Sequence, residues 1–72
     1  MLCTDLAGAE LLLSKNRQTV WRYRSDGLVR DISLRGKTYI PISDIAKIKG
    51  QPLKKVLAMA DNKDIPIWQV KK

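Results

Sequence analysis

The 72-residue sequence contains no histidine, no phenylalanine and a single cysteine. Without histidine, the residue most often used as a general base and zinc ligand is missing. Cys3 has no second cysteine for an internal disulfide or a metal site, and beside Leu2 it reads as a small apolar filler, with a functional thiol as the alternative. There is no glycine-rich phosphate loop, and the Ser and Lys residues are not spaced as a nucleophile and its base. Asp5 with Glu10, and Asp26 with Asp31, can be named as carboxylate pairs, but all four are more simply caps and surface charges. The expectation is a protein that is not an enzyme and carries no cofactor or metal. Long apolar runs are also missing: the longest strongly apolar one is Leu11-Leu12-Leu13, against the ~20 residues needed to span a bilayer. Residues 1–10 carry Asp5 and Glu10 and none of the positive charge that opens a secretory signal. The expected setting is therefore cytoplasmic, with no membrane partner.

Positive charge is abundant. Fourteen Lys and Arg stand against seven Asp and Glu, giving a net charge of +7 and a pI near 9.9. Such an excess on a small body favours a polyanionic partner, either nucleic acid or an anionic surface. The length allows one small domain, burying only about 60% of its unfolded surface, so a partner, a second copy or DNA would help to hold it together.

Hydrophobic spacing divides the chain. Thr4 and Asp5 are good capping residues, and Leu6, Ala9, Leu12 and Leu13 follow at helical intervals, so a first helix is expected over residues 4–13, with Gly8 allowing another backbone to approach. Ser14-Lys15-Asn16 suits a turn, with Ser14 or Asn16 capping a second helix from Arg17 to Arg24. Asp26-Gly27 ends that helix. Leu28, Val29 and Ile32 suggest a first strand that includes Arg30, and Lys37 to Ile40 a second, joined through Ser33-Leu34-Arg35-Gly36. Such a hairpin must lie against the helices to be stable. Ser43-Asp44 is the expected cap of a third helix running through Ile45 and Ile48 to Gly50. Pro52, Leu53, Val56, Leu57 and Ala60 mark a fourth, and Ile65 to Val70 an extended segment that Pro66 confines to a sheet edge. The expected fold is α+β, a small winged helix-turn-helix of three to four helices with a two-stranded β-hairpin wing. Residues 1–50 would form the DNA-binding domain, and 51–72 a C-terminal helix and tail for a partner or self-association. A faint echo between Thr4-Asp5-Leu6-Ala7 and Ser43-Asp44-Ile45-Ala46 leaves open a second helix-turn-helix over residues 43–62.

In a helix-turn-helix the second helix presents its early outward residues to base edges in the major groove. Arg17 and Gln18 stand there; Arg can pair bidentately with guanine and Gln with adenine. Asn16, Thr19, Trp21 and Arg22 are the candidates for phosphate contacts, with Arg35 and Lys37 at the tip of the wing over residues 33–38 and Arg30 as a further backbone contact. Tyr23, Tyr39 and Trp68 suit core or base stacking, and Val20, Tyr23 and Leu28 a hinge of the core. Leu53, Leu57 and Trp68 are candidates for a partner-binding surface.

Several segments fall in a known order: Asn16-Arg17-Gln18-Thr19-Val20-Trp21-Arg22-Tyr23, Gly27-Leu28, Arg35-Gly36-Lys37-Thr38-Tyr39-Ile40-Pro41 and Ser43-Asp44-Ile45. The stretch from Thr4 to Ile48 thereby resembles the MerR-like winged-helix domains of phage excisionases and prophage regulators. It departs from their pattern at Ser14-Lys15, where Gly-Val is usual, and at Tyr23, where Trp is usual. The resemblance implies a DNA-bending or transcription-controlling protein of a phage or mobile element, nucleoid-associated in a bacterial cell. It also implies self-association on repeated sites and a possible integrase or other recombination protein as partner. Two other classes remain open: a basic protein-interaction adaptor, and the DNA-binding end of a longer transposase or recombinase.

Overall fold

The chain opens with a strand where a helix was expected. The computed structural model describes residues 1–71, and in it Leu2–Asp5 form β1, while the first helix, α1, spans Leu6–Leu13. Thr4 therefore belongs to the sheet. Asp5 is the residue that caps α1, its carboxylate accepting the Gly8 N–H at 2.7 Å. β1 pairs antiparallel with β3 (Lys37–Pro41) in the register Cys3↔Pro41, Thr4↔Ile40 and Asp5↔Tyr39. On its other side it pairs antiparallel with β4 (Trp68–Gln69), through Leu2↔Gln69 and Cys3↔Trp68. With β2 (Ile32–Leu34) outside β3, the four-stranded sheet has the order β2-β3-β1-β4. The expected edge position of the tail is realised in β4.

The hairpin differs from expectation in its first strand. Leu28, Val29 and Arg30 lie in a loop ahead of β2, Val29 is buried in the core, and Leu28 is 53% exposed and takes no place in the hinge assigned to it. The β2–β3 connection is only Arg35-Gly36, with φ of 52° and 78°. Two consecutive positive φ values mark the mirror-image turn whose twist suits a two-residue hairpin.

α2 spans Arg17–Ser25, α3 Ile42–Lys49 and α4 Leu53–Asn62. α3 begins earlier than Ser43-Asp44 would set it. Pro41, at φ −61° and ψ 134°, already supplies the extended cap conformation, so Ile42 enters the helix and Asp44 falls within its first turn. Pro52 plays the same part for α4.

Alternation along the strands builds two apolar layers. Leu12, Val20, Ile40, Ile42, Ile45 and Val56, all fully buried, fill the main core between helices and sheet, with Tyr23 packed against it. Val56, Ala60 and Ile65 belong to this same core, so α4 and β4 complete the unit formed by residues 1–50 and are not an appended tail. Cys3, Ile32 and Val70, with Tyr39 against them, form a smaller cluster of their own.

α1 is pressed onto β1 and the chain entering β4. The Thr4 hydroxyl donates to the Pro66 carbonyl at 2.9 Å. A Cβ at Gly8 would overlap that same hydroxyl oxygen and come within 2.8 Å of Ile65 Cγ2. Side chains, not a neighbouring backbone, are thus what Gly8 admits. Gly8→Ala should lower stability by about 1–3 kcal/mol, as overpacking does, despite the ~1 kcal/mol that alanine gains over glycine in a helix. A urea midpoint at or above that of the parent chain would mean that Thr4 can turn aside freely.

Candidate nucleic-acid interface

α2 is held by its own amino end and by one buried stripe. Asn16 Oδ1 accepts the Thr19 N–H at 2.9 Å, which caps the helix and leaves only the amide NH2 of Asn16 free to donate. Val20 is fully buried, with Thr19, Tyr23 and Arg24 half-buried around it. Gln18, Trp21, Arg22 and Ser25 are exposed and recur at intervals of three and four, which places them in one outward stripe beside exposed Arg17. No acidic residue lies within α2.

One close ion pair fixes an edge of this surface. The Arg24 guanidinium meets Asp31 Oδ2 at 2.6 Å and lies 4.4 Å from the centre of the Trp21 ring. Arg24 is therefore a brace: it ties α2 to the loop before β2 and steadies a tryptophan that is 52% exposed. The Arg24 hydrogen bond, with its charge, holds the Asp31 carboxyl below the usual carboxylate range. Arg17, by contrast, reaches Glu10 only at 3.9 Å and remains largely exposed. A surface pair of that length contributes little and leaves the guanidinium free to turn outward.

Arg30 occupies a different role from the one its charge suggested. In the loop ahead of β2, its Nε and Nη2 donate to the buried Asp44 carboxylate at 3.1 and 3.3 Å, and its backbone N–H donates at 2.9 Å. Burial alone would push the Asp44 carboxyl up, but these hydrogen bonds and the Arg30 charge hold it below its ordinary value. The same bonds raise the Arg30 guanidinium further. Its charge is thus largely committed to positioning the loop onto α3. Arg35 and Lys37 stand exposed at the hairpin turn, each without an ion pair among the described residues.

The fold adds cations that sequence reasoning passed over. Lys47 and Lys49 at the end of α3 and Lys54 and Lys55 at the start of α4 crowd one helix connection, and no acid lies between residues 45 and 60. The lack of acid in that run was the available signal. A cleft of about 640 Å³, walled by Gly27, Leu28, Arg30, Asp44, Lys47 and Ile48, separates the loop after α2 from α3.

The suggested partner residues are dispersed. Leu53 is exposed beside Met1, Leu2 and Ser43, Leu57 packs against the main core, and Trp68 meets Tyr39 edge-on at a ring distance of 5.4 Å.

Chemically, the surface around α2 is a set of outward hydrogen-bond donors and cations beside a steadied aromatic ring. No group of three or more His, Cys, Asp or Glu is placed to hold a metal ion among the described residues, and no helix among them is long and apolar enough to cross a membrane. No family model matches the chain, and no curated protein or solved structure matches it significantly.

Asp44 gives a pH test of this scaffold. Its folded pKa lies below the unfolded value, so its stabilisation is complete above about pH 4 and is lost as pH falls through the folded value. Asp44→Ala should cost about 1–2 kcal/mol at neutral pH, by orphaning the Arg30 N–H. It should also flatten the acid limb of a stability profile; an unchanged limb would show that another carboxylate governs it.

Proposed function

We propose that this protein binds double-stranded DNA sequence-specifically, as a winged helix-turn-helix in which α1 and α2 are the helix pair and β2 and β3 the wing. The observation that carries this reading is the outward stripe of α2, Gln18, Trp21, Arg22 and Ser25 beside Arg17, which is free of acidic residues. A helix of this kind fits the major groove, which is wide enough to admit it and presents a distinct donor and acceptor pattern for each base pair. Arg17 and Gln18, in the first turn, read base edges. Asn16, Thr19 and Arg22 donate to phosphates, and Trp21 packs against the sugar-phosphate wall under the support of Arg24. The Arg35-Gly36-Lys37 turn lies over neighbouring phosphates or the minor groove.

The net charge of +7 supports attraction to the duplex, and each phosphate neutralised contributes about 0.9 to the slope of log affinity against log salt. The motif order shared with MerR-like domains supports an excisionase or transcription regulator of a phage or mobile element. A basic adaptor for an acidic protein would share the charge but not the base preference.

Selection of bound duplexes from a random DNA pool, with titration of the winner at two salt concentrations, tests the proposal. An enriched motif bound ~4 kcal/mol or more tighter than unrelated duplex is the expected result. Salt-sensitive binding without enrichment would overturn it in favour of the adaptor. Within an enriched site, Arg17→Ala should relax one base position at a cost of about 1–3 kcal/mol, whereas Lys37→Ala should weaken all duplexes alike and lower the salt slope by about one. Equal loss of preference in both variants would move base readout away from α2.

A further inference from the structure

The face of the sheet that carries Cys3 is left without a helix. Strand alternation and register put Ile32, Leu34, Tyr39, Cys3, Trp68 and Val70 on this one face, opposite Leu2, Thr4 and Ile40, which face the helices. Cys3, Ile32 and Val70 are buried there, but Leu34 and Trp68 remain 41% and 39% exposed. A groove of about 330 Å³ runs among Leu34, Tyr39, Trp68 and Val70, with Arg35 and Lys71 on its rim and no acidic residue among its described lining; Asp5, at the helix end of the same face, is engaged by the Gly8 N–H.

The neighbouring sheet edge is also open. Met1 and Val70 exchange both backbone hydrogen bonds, at 2.7 and 3.1 Å. In an antiparallel ladder such pairs alternate with pairs that do not bond each other, so Gln69, opposite Leu2, turns its N–H and C=O away from β1. Exposed edge groups of this kind accept an added strand.

We propose that this face docks an extended, acidic peptide segment of a partner protein. The segment pairs with Gln69 along the free edge of β4, places alternate apolar side chains beside Trp68 and Val70, and sets its carboxylates against Lys71 and Arg35. Charge complementarity selects this occupant. A second copy of the chain carries the same net charge of +7 and, among the described residues lining this groove, offers no carboxylate to Arg35 or Lys71. A nucleic-acid single strand needs open ring faces for its bases, whereas Trp68 and Tyr39 meet edge-to-face at 73° and aliphatic Leu34 and Val70 complete the groove. The inference is independent of base readout by α2, but it shares Arg35 with the proposed wing, so an acidic segment and a duplex would compete for that residue.

The test is an NMR titration of the isotopically labelled full chain, free of DNA, with a short acetylated and amidated peptide alternating Glu with Val. Shifts at Leu34, Arg35 and Gln69 to Lys71, slowed exchange of the Gln69 amide and an undisturbed α2 are expected. Lys71→Glu, an exposed change outside the core, should weaken the probe about fivefold or more; Trp68→Ala should abolish its binding. Four results would overturn the proposal: no shifts at these amides, equal binding of the Lys-Val counterpart, stronger response of the same amides to oligothymidylate, or shifts that follow protein concentration alone. None of these bears on base readout by α2, which the duplex selection tests separately.

Discussion

Four residues at the amino end, Leu2–Asp5, hold the sheet together. β1 lies between β3 and β4, and without it the hairpin and the carboxyl-terminal strand have no common partner. Its alternation also divides the apolar residues: Leu2 and Thr4 face the helices, and Cys3 seats the outer cluster. Asp5 ends the strand and caps α1 within a single residue. The direction of α1 is therefore set by the strand it leaves. Through the α1–α2 turn, the same constraint governs where α2 is presented.

A second constraint is the disposition of the few acids. Asp5 is spent on a cap, Asp31 on Arg24, and Asp44 on Arg30. Each ties one segment to another: the β1 end to α1, α2 to the loop before β2, and that loop to α3. The carboxylates act as struts between elements, and the outward face of α2 is left to cations, amides and one tryptophan. Asp44 is the most demanding case, because a buried carboxylate is tolerated only when its hydrogen bonds are complete. Three donors from one residue, Arg30, meet that need.

The parts legible in the sequence are those encoded locally. The Asn16 cap, the outward spacing of α2, the Gly50 stop and the edge position of the proline-bearing tail each follow from residues a few positions apart. β1 was illegible because its evidence is distant: Leu2–Asp5 becomes a strand only by pairing with Tyr39–Pro41 and Trp68–Gln69, while Thr4-Asp5 carries the same caps that open a helix. Likewise, nothing near Arg30 announces Asp44, which is fourteen residues away. Ser43-Asp44 looked like a helix start because both are capping residues, yet Pro41 already supplied the required backbone geometry. For the proposed interface, only the fold separated Arg30, committed to Asp44, from Arg35 and Lys37, which make no ion pair among the described residues.

The hairpin turn carries one further consequence. Arg35 holds a left-handed backbone conformation that asparagine or glycine adopts with less strain. The side chain at the tip is thus kept at the expense of backbone ease, and β2 lies at a sheet edge with only three residues. The distal end of the hairpin is consequently held by few contacts beyond its own two-residue turn. If the tip meets phosphates as proposed, amide exchange in Arg35-Gly36-Lys37 would slow while that of the core strands stays as it is.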